Sequence, residues 1–231
     1  MKKTLRVIFD LDDTLYPERA FALSGFRAAA AWAASEWGID DMASEMASLL
    51  DDGHLGAVFK IALARQRPEF SDEDLARFIE AYRNHKPTLA LFEDAPAALA
   101  NSAQYGPLGL ITDGTHWVQK SKVEALGIVG HFQHIVYTGA LGGRDFHKPH
   151  PRAFELMETK LAAPDALFVY IGDNPAKDFV APNARGWGTV QVVRPNGIHD
   201  ARAEVEGGAP QHEIESLDEL GGVLEALSQR T

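Results

Sequence analysis

The sequence predicts an α/β fold: a doubly wound parallel sheet with a helical segment inserted near its start. Three observations lead there. Five short apolar runs rich in β-branched residues read as strands buried on both faces, namely "LRVIF" (Leu5 to Phe9), "LGLIT" (Leu108 to Thr112), "HIVYT" (His134 to Thr138), "LFVYIG" (Leu167 to Gly172) and "TVQVV" (Thr189 to Val193). Helical patterns separate the later four, which is the alternation of a parallel sheet. The interval from Tyr16 to about Leu91 is far longer than a strand-to-helix loop and carries its own helical signals.

Taken in order, Leu5 to Phe9 is the first strand and the insert follows it. Within the insert, "RAFALSGFRAAAAWAASEWG" reads as a helix stopped by Gly38, and "SDEDLARFIEAYRNH" as one with Ser71 at its N-cap and acids in its first turn. Trp32, Trp37 and Phe78 are read as packing residues. After the second strand, "HWVQKSKVEALG" ends at Gly127; after the third, "PRAFELMETKLA" opens at Pro151. The helix "AKDFVAPNARG" after the fourth strand is shortened or kinked by Pro182 and closes at Gly186. The tail "HEIESLDELGGVLEAL" gives a strand-like fragment, then a helix capped by Ser216 with Glu219 at the capping-box position. This divides the chain into a core of residues 1–15 and 92–231 and a helical insert of residues 16–91.

The 231 residues are enough for one large domain or a core with a smaller insert, and 45% hydrophobic with 24% charged residues match an ordinary globule. The 22 Lys and Arg against 33 Asp and Glu give a formal net charge of −11, and no basic run interrupts it, so a nucleic-acid partner is not expected. The chain has no cysteine, which excludes thiol catalysis, disulfides and Cys-ligated metal. The start "MKKTLRVIFDLDD" has a basic front, but Arg6 and Asp10 interrupt the apolar stretch a signal peptide needs. A cytoplasmic location without membrane contact is the expectation.

Chemistry concentrates at the ends of the strands. "VIFDLDDTLYPE" puts Asp10, Asp12 and Asp13 directly behind the first strand. If the chain stays extended, Asp10 and Asp12 leave on one face of the sheet's carboxyl edge, and such crowding calls for a cation, a proton, or both. By the same alternation Asp13 leaves on the other face and belongs to a turn. "YIGDNPAKD" places Asp173 just past the fourth strand and Asp178 five positions on. In a doubly wound sheet the first and fourth strands can adjoin at the topological switch point, bringing Asp10, Asp12 and Asp173 together. Hard oxygen donors suit Mg²⁺. A zinc site would need a histidine cluster, and "HKPH", with His147 and His150, is the only weak competitor. Thr112 in "GLITDG" offers a hydroxyl and neighbouring N–H groups to a phosphoryl group, and Lys148 in "HKPHP" puts a cation at a helix start.

Together, "FDLDDTL", "LITDG", "KPHPRAF" and "IGDNPAKD" resemble, in order and across almost the whole chain, the four motifs of the haloacid dehalogenase-like hydrolase superfamily. The insert lies where members with a helical cap of the first type carry theirs. The resemblance implies a Rossmannoid core with strand order 5-4-1-2-3 and hydrolysis of a small phosphorylated metabolite through an aspartyl-phosphate. It implies Asp10 as nucleophile, Asp12 as acid/base, Thr112 and Lys148 as catalytic phosphoryl-binding groups, and Asp113 and Gly114 as substrate-binding neighbours. It also implies Mg²⁺ held by the Asp10 and Asp173 carboxylates and the Asp12 backbone carbonyl, with Asp178 orienting the site through a metal-bound water or Lys148.

Asp12 separates the branches of that superfamily: dehalogenases lack an acid there, and phosphonate-cleaving members carry a small residue. A phosphoglucomutase-like transferase or an idle binding module of the same fold are the alternatives. A receiver-type domain is shorter, and an EF-hand counted from Asp10 fails at Leu15 and Phe21, where Gly and Glu are required. "GLITDG" and "IGDNPAKDF" resemble the subfamily that contains small sugar-phosphate and nucleoside-monophosphate phosphatases; in capped members the leaving group is read by cap residues and the loop after the first motif, here "YPERAF", with Arg19 and Arg27 available for a second anionic group. Oligomeric state is not legible.

Overall fold

A computed structural model describes residues 3–229 except 196 and 200. Strands β1 (Leu5–Phe9), β2 (Leu108–Thr112), β3 (Phe132–Tyr137), β4 (Leu167–Gly172), β5 (Gly188–Val192) and β6 (His212–Ile214) form one sheet in the order β3-β2-β1-β4-β5-β6, every pair parallel. This contains the expected 5-4-1-2-3 order and adds β6 beyond β5. The added strand is the strand-like fragment of the tail, only three residues long with two of them polar, so its pairing is set by β5 rather than by any pattern of its own.

The sheet is buried for the reason the sequence gives: β1, β2 and β5 have no residue open to water, and a parallel sheet needs both faces covered. On one face α7 (Arg152–Lys160) and the short α8 (Val180–Ala184), with its N-cap residue Phe179, pack Phe154, Met157, Phe179 and Ala181 against Ile8, Ile111 and Tyr170. Pro182 sits inside α8, which runs only five residues. Helices α5 (Ala95–Ser102), α6 (His116–Ala125) and α9 (Leu220–Ser228) complete this unit, which comprises residues 1–18 and 89–231. Gly127, at φ 70°, follows α6 in the left-handed conformation that favours glycine.

β1 lies between β2 and β4, with Phe9 in register with Leu110 on one side and Ile171 on the other. The connections leave it in opposite directions, so the carboxyl ends of β1, β2 and β4 converge at a topological switch point. Asp10 stays tied to β4 there: its N–H donates to the Ile171 carbonyl at 2.8 Å.

The second unit, residues 19–88, is helical: most of α1 (Glu18–Trp37), then α2 (Met42–Asp51), α3 (Val58–Gln66) and α4 (Asp72–Arg83). Its core joins Phe26, Met42, Met46, Leu49, Leu63 and Phe78. Trp32 and Trp37 meet edge to face at 4.6 Å, and each carries a guanidinium over its ring at 5.2 Å, Arg77 and Arg67 respectively. Ser71 forms a capping box with Asp74, as its position before three acids predicts.

Helices α2, α3 and α5 were not legible. None has a side-chain cap, and α2 starts from Asp41 at φ 61°, so the usual start signals are missing. β3 begins two residues earlier than predicted and ends at Tyr137; Thr138 already belongs to a 3₁₀ turn.

Candidate active site

The switch point gathers a cluster of acidic and basic side chains within the first unit. Asp10 is buried at the end of β1, and its Oδ1 lies 2.8 Å from Lys148 Nζ. Lys148 Nζ also sits 2.7 Å from Asp178 Oδ1 and donates to Tyr170 Oη at 2.9 Å, with no part of the lysine side chain open to water. Asp178 Oδ2 accepts from the Asn174 N–H at 2.9 Å. Gly172 makes that approach possible, since a Cβ there would stand 2.5 Å from Asp178 Oδ2. Asp173 follows β4, and one carboxylate oxygen from each of Asp10, Asp173 and Asp178 lies within 4.8 Å of the others. His147 and His150 join no such cluster among the described residues.

These carboxylates are not fully neutralised. Burial pushes the Asp10 carboxyl up, Lys148 pulls it back and Asp178 adds to the rise, leaving it at about 6. Burial, then Asp178 and Asp10, push Asp173 well above the usual carboxylate range. For Asp178 burial is outweighed by Lys148 and Lys177, which hold it below that range. Asp10 Oδ2 is buried without a hydrogen-bond partner among the described residues. An unpartnered carboxylate oxygen in an oxygen-only, anionic cluster fits a hard divalent cation such as Mg²⁺.

Asp12 has different surroundings. Its Oδ1 accepts from Tyr16 Oη at 2.5 Å and from Lys122 Nζ at 2.6 Å, and its Oδ2 accepts from Gln119 Nε2 at 2.7 Å. Burial alone would raise this carboxyl, but Lys122, Tyr16 and Gln119 outweigh it and hold Asp12 below the usual range. The carboxylate that pushes Asp10 up is thus Asp178, not Asp12. Gln119 Nε2 also donates to Thr112 Oγ1 at 2.5 Å, joining the acid to the hydroxyl at the end of β2.

Asp113 spends its side chain on architecture: Oδ1 accepts from Thr138 Oγ1 at 2.8 Å and from the Lys148 N–H at 3.1 Å, and Lys177 Nζ stands 3.8 Å from Oδ2. Gly114 has φ 127°, open to glycine and strained for other residues, and a Cβ there would press on Gln119 at 3.3 Å. Asp13 lies in the turn ahead of α1, as expected, though alternation is not what places it there. The strand ends at Phe9, Asp13 has φ 50°, and its buried carboxylate accepts from the N–H groups of Glu18 and Ile198, both at 2.8 Å. It ties the start of α1 to the loop at Ile198. Arg19 is engaged too, its guanidinium donating three hydrogen bonds to Asp51.

Sequence reasoning missed Tyr16, Gln119, Lys122, Lys177 and Tyr170. One signal was available: Gln119 and Lys122 are three apart on the helix that follows the Thr112 turn, hence on one face. Lys177 lies inside "IGDNPAKD", where burial would lower its affinity for a proton but Asp10, Asp178 and Asp113 raise it above that of an ordinary lysine.

The family profile described as haloacid dehalogenase-like hydrolase matches residues 7–192, more than half of the chain. The chain belongs to that family. Relatives of this haloacid dehalogenase-like hydrolase include a glyceraldehyde 3-phosphate phosphatase of Methanopyrus kandleri, 26% identical over 96% of this chain and 98% of that one. A ribulose-1,5-bisphosphate 5-phosphatase of Halopiger xanaduensis is 28% identical over 96% and 98%. A phosphoserine phosphatase of Thermus thermophilus is 29% identical over 50% of this chain and 45% of that one. Among solved structures, magnesium-bound YfnB of Bacillus subtilis superposes with a TM-score of 0.73 at 20% identity, covering 96% of this chain and 99% of that one. An L-2-haloacid dehalogenase of Xanthobacter autotrophicus gives 0.65 at 19% identity, covering 98% and 99%.

Proposed function

We propose that the chain is a Mg²⁺-dependent phosphatase that hydrolyses a small phosphate monoester, of the sugar-phosphate or nucleoside-monophosphate type, through an aspartyl-phosphate on Asp10. The observation that carries this is the unequal treatment of two carboxylates two residues apart. Asp10 is buried on Lys148 with one oxygen unpartnered, which suits a nucleophile and cation ligand; Asp12 is positioned by three donors that keep it ionised, which suits a group that takes a proton from water and returns it in the next cycle. Phosphoric monoester hydrolysis is also what the full-length phosphatase relatives are named for, and their named substrates are small phosphorylated sugars. A formal charge of −11 argues against a polyanionic nucleic acid. No helix among the described residues is long and apolar enough to cross a membrane.

In this reading the Asp10 and Asp173 carboxylates and the Asp12 backbone carbonyl hold the cation, with Asp178 beside them. When bound, Mg²⁺ supplies positive charge against the phosphoryl oxygens. Thr112 and the backbone N–H groups of Asp113 and Gly114 bind those oxygens, and Lys148 keeps Asp10 ionised and faces the transferring group. An Asp10 oxygen forms a bond to phosphorus as the bond to the leaving oxygen breaks, and Asp12 gives its proton to that oxygen. Asp12 then takes a proton from water, the water oxygen bonds to phosphorus, and the bond from phosphorus to Asp10 breaks.

Residues 16–91 are assigned as the helical cap and residues 1–15 with 92–231 as the hydrolase core, a division supported by the compact units 19–88 and 1–18 with 89–231. A cytoplasmic location accords with an acidic, cysteine-free chain. The test is release of inorganic phosphate from a panel of sugar phosphates, nucleoside monophosphates and phosphoglycolate, with Mg²⁺ and with excess chelator. Turnover of at least one ester in Mg²⁺ and its loss in chelator is expected; inactivity toward the whole panel, or full activity in chelator, overturns the proposal.

A further inference from the structure

We propose that Lys122, with Gln119 and Tyr16, is a positioning residue for the proton carrier Asp12, and that α6 thereby couples the acid to the phosphoryl-binding hydroxyl of Thr112. This rests on the phosphoryl-transfer reading of the site.

Asp12 follows the last strand residue by three positions and Asp13 turns left-handed immediately after it, so the backbone alone does not fix the carboxylate. Three donors from two different segments do. Tyr16 reaches back four residues along the same loop, while Gln119 and Lys122 come from one face of α6. Lys122 is 4% exposed, and its ammonium has Asp12 Oδ1 at 2.6 Å. A lysine that deep in the protein, at such a distance, is not a solvated surface charge.

The arrangement limits what Asp12 can do with its lone pairs. A carboxylate accepts at about four sites, and three are taken by Tyr16, Lys122 and Gln119. The remaining direction is where its proton must sit when it acts as an acid. Gln119 shares its amide between Asp12 Oδ2 and Thr112 Oγ1, at 2.7 and 2.5 Å, so the carboxylate and the hydroxyl cannot shift independently. The group that delivers the proton is thereby held in register with the group that holds the phosphoryl oxygens. As the proton passes from Asp12 to the leaving oxygen, the new carboxylate charge forms against a lysine already in place, which is electrostatic preorganisation. Nothing in the transfer requires Lys122 to touch substrate; it acts through Asp12.

A role through proton delivery makes a specific prediction, because a leaving group that is already a weak base gains little from being protonated. Phenyl phosphate and p-nitrophenyl phosphate share a shape and differ in that respect. The experiment measures kcat/KM, which reports steps through departure of the leaving group, for both esters with the wild type, Lys122→Met, Lys122→Arg, Asp12→Asn and Lys122→Met combined with Asp12→Asn. Lys122→Met is expected to lose on the order of 10²-fold on phenyl phosphate and less than about 10-fold on p-nitrophenyl phosphate, with Lys122→Arg recovering part of the loss. In the Asp12→Asn background the Lys122 change is expected to add little, since the two act as one unit.

Equal losses on the two esters, or losses that multiply in the double variant, overturn the proposal even where the wild type is an active phosphatase. Thermal unfolding of each variant separates a collapsed fold from a misplaced acid, and Lys122→Arg, which keeps the charge, supplies the comparison if Lys122→Met is unstable. Failure of the phosphatase reading looks different: the wild type releases no phosphate from either ester, or Asp10→Asn works as well as the wild type.

Discussion

Asp10 and Asp12 leave the same short stretch of chain, yet the protein treats their charges in opposite ways. On the Asp10 side three buried carboxylates face Lys148 and Lys177, and burial leaves Asp10 at about 6 and Asp173 well above the usual range. On the Asp12 side the carboxylate meets Lys122, Tyr16 and Gln119 and lies below that range, while the neighbouring Glu18 carboxyl is pushed up to about 7 by burial and then by Asp12. The Asp10 carboxylate is short of positive charge, whereas the Asp12 carboxylate is matched by the protein's own donors. The contrast teaches that proximity of acids in sequence does not make them one electrostatic cluster; what each strand end and helix face brings near them decides.

The largest expected effect comes from erasing the difference at Asp10. Asp10→Asn removes the nucleophile and is expected to lower kcat on the order of 10⁴-fold or more, whereas Asp12→Asn should cost about 10²- to 10⁴-fold, both with an unchanged circular dichroism spectrum. Lys148→Met attacks the stability of the same half. It leaves Asp10 and Asp178 buried without their shared cation, and breaking such a pair costs about 3–5 kcal/mol, to be read from denaturant unfolding at neutral pH.

A gentler test changes only protonation. In metal-free protein the folded Asp10 takes up its proton at about 6 against an ordinary 3.8, so the native state binds more protons than the unfolded chain between those values. Stability of the metal-free protein therefore falls as pH rises through that window and stays low above it, and Asp173 acts in the same direction. Mg²⁺ should relieve the loss: Tm rises on adding Mg²⁺ at pH 8, by the equivalent of about 2.7 kcal/mol at a hundredfold excess over Kd, and changes little at pH 5. The smallest effect is expected from Gly172→Ala, whose new Cβ would crowd Asp178 Oδ2 at 2.5 Å. A cost of about 1–3 kcal/mol, with turnover reduced because Lys148 loses its partner's position, would show that Gly172 is there for close approach.

Much of the Asp10 side was legible from sequence and little of the Asp12 side. Asp10, Thr112 and Asp173 each stand at or just past the end of an apolar run, and Lys148 just before a helix that Pro151 opens, so a doubly wound sheet places them by topology alone. Gln119 and Lys122 depend on how α6 is rotated against the sheet, and Tyr16 on how the loop after β1 turns back, neither of which a strand-end rule supplies. Asp13 does belong to the turn ahead of α1, as expected, but not by alternation, which holds only while the chain is extended, and it is extended no further than Phe9. The helical unit was visible as a long interval with two strong helices. Its other two, α2 and α3, lack side-chain caps and are held by the shared core of Met42, Met46, Leu49 and Leu63, a tertiary cause that leaves no local signature.

The most direct measurement is acid-quench trapping during turnover of a ³²P-labelled ester that the wild type hydrolyses in Mg²⁺, followed by peptide mapping. The account predicts an acid-stable, hydroxylamine-labile label on the peptide containing Asp10, absent in Asp10→Asn and retained in Asp12→Asn if that variant still transfers. Label on another residue, or turnover with no labelled protein at any quench time and full activity in Asp10→Asn, would contradict it.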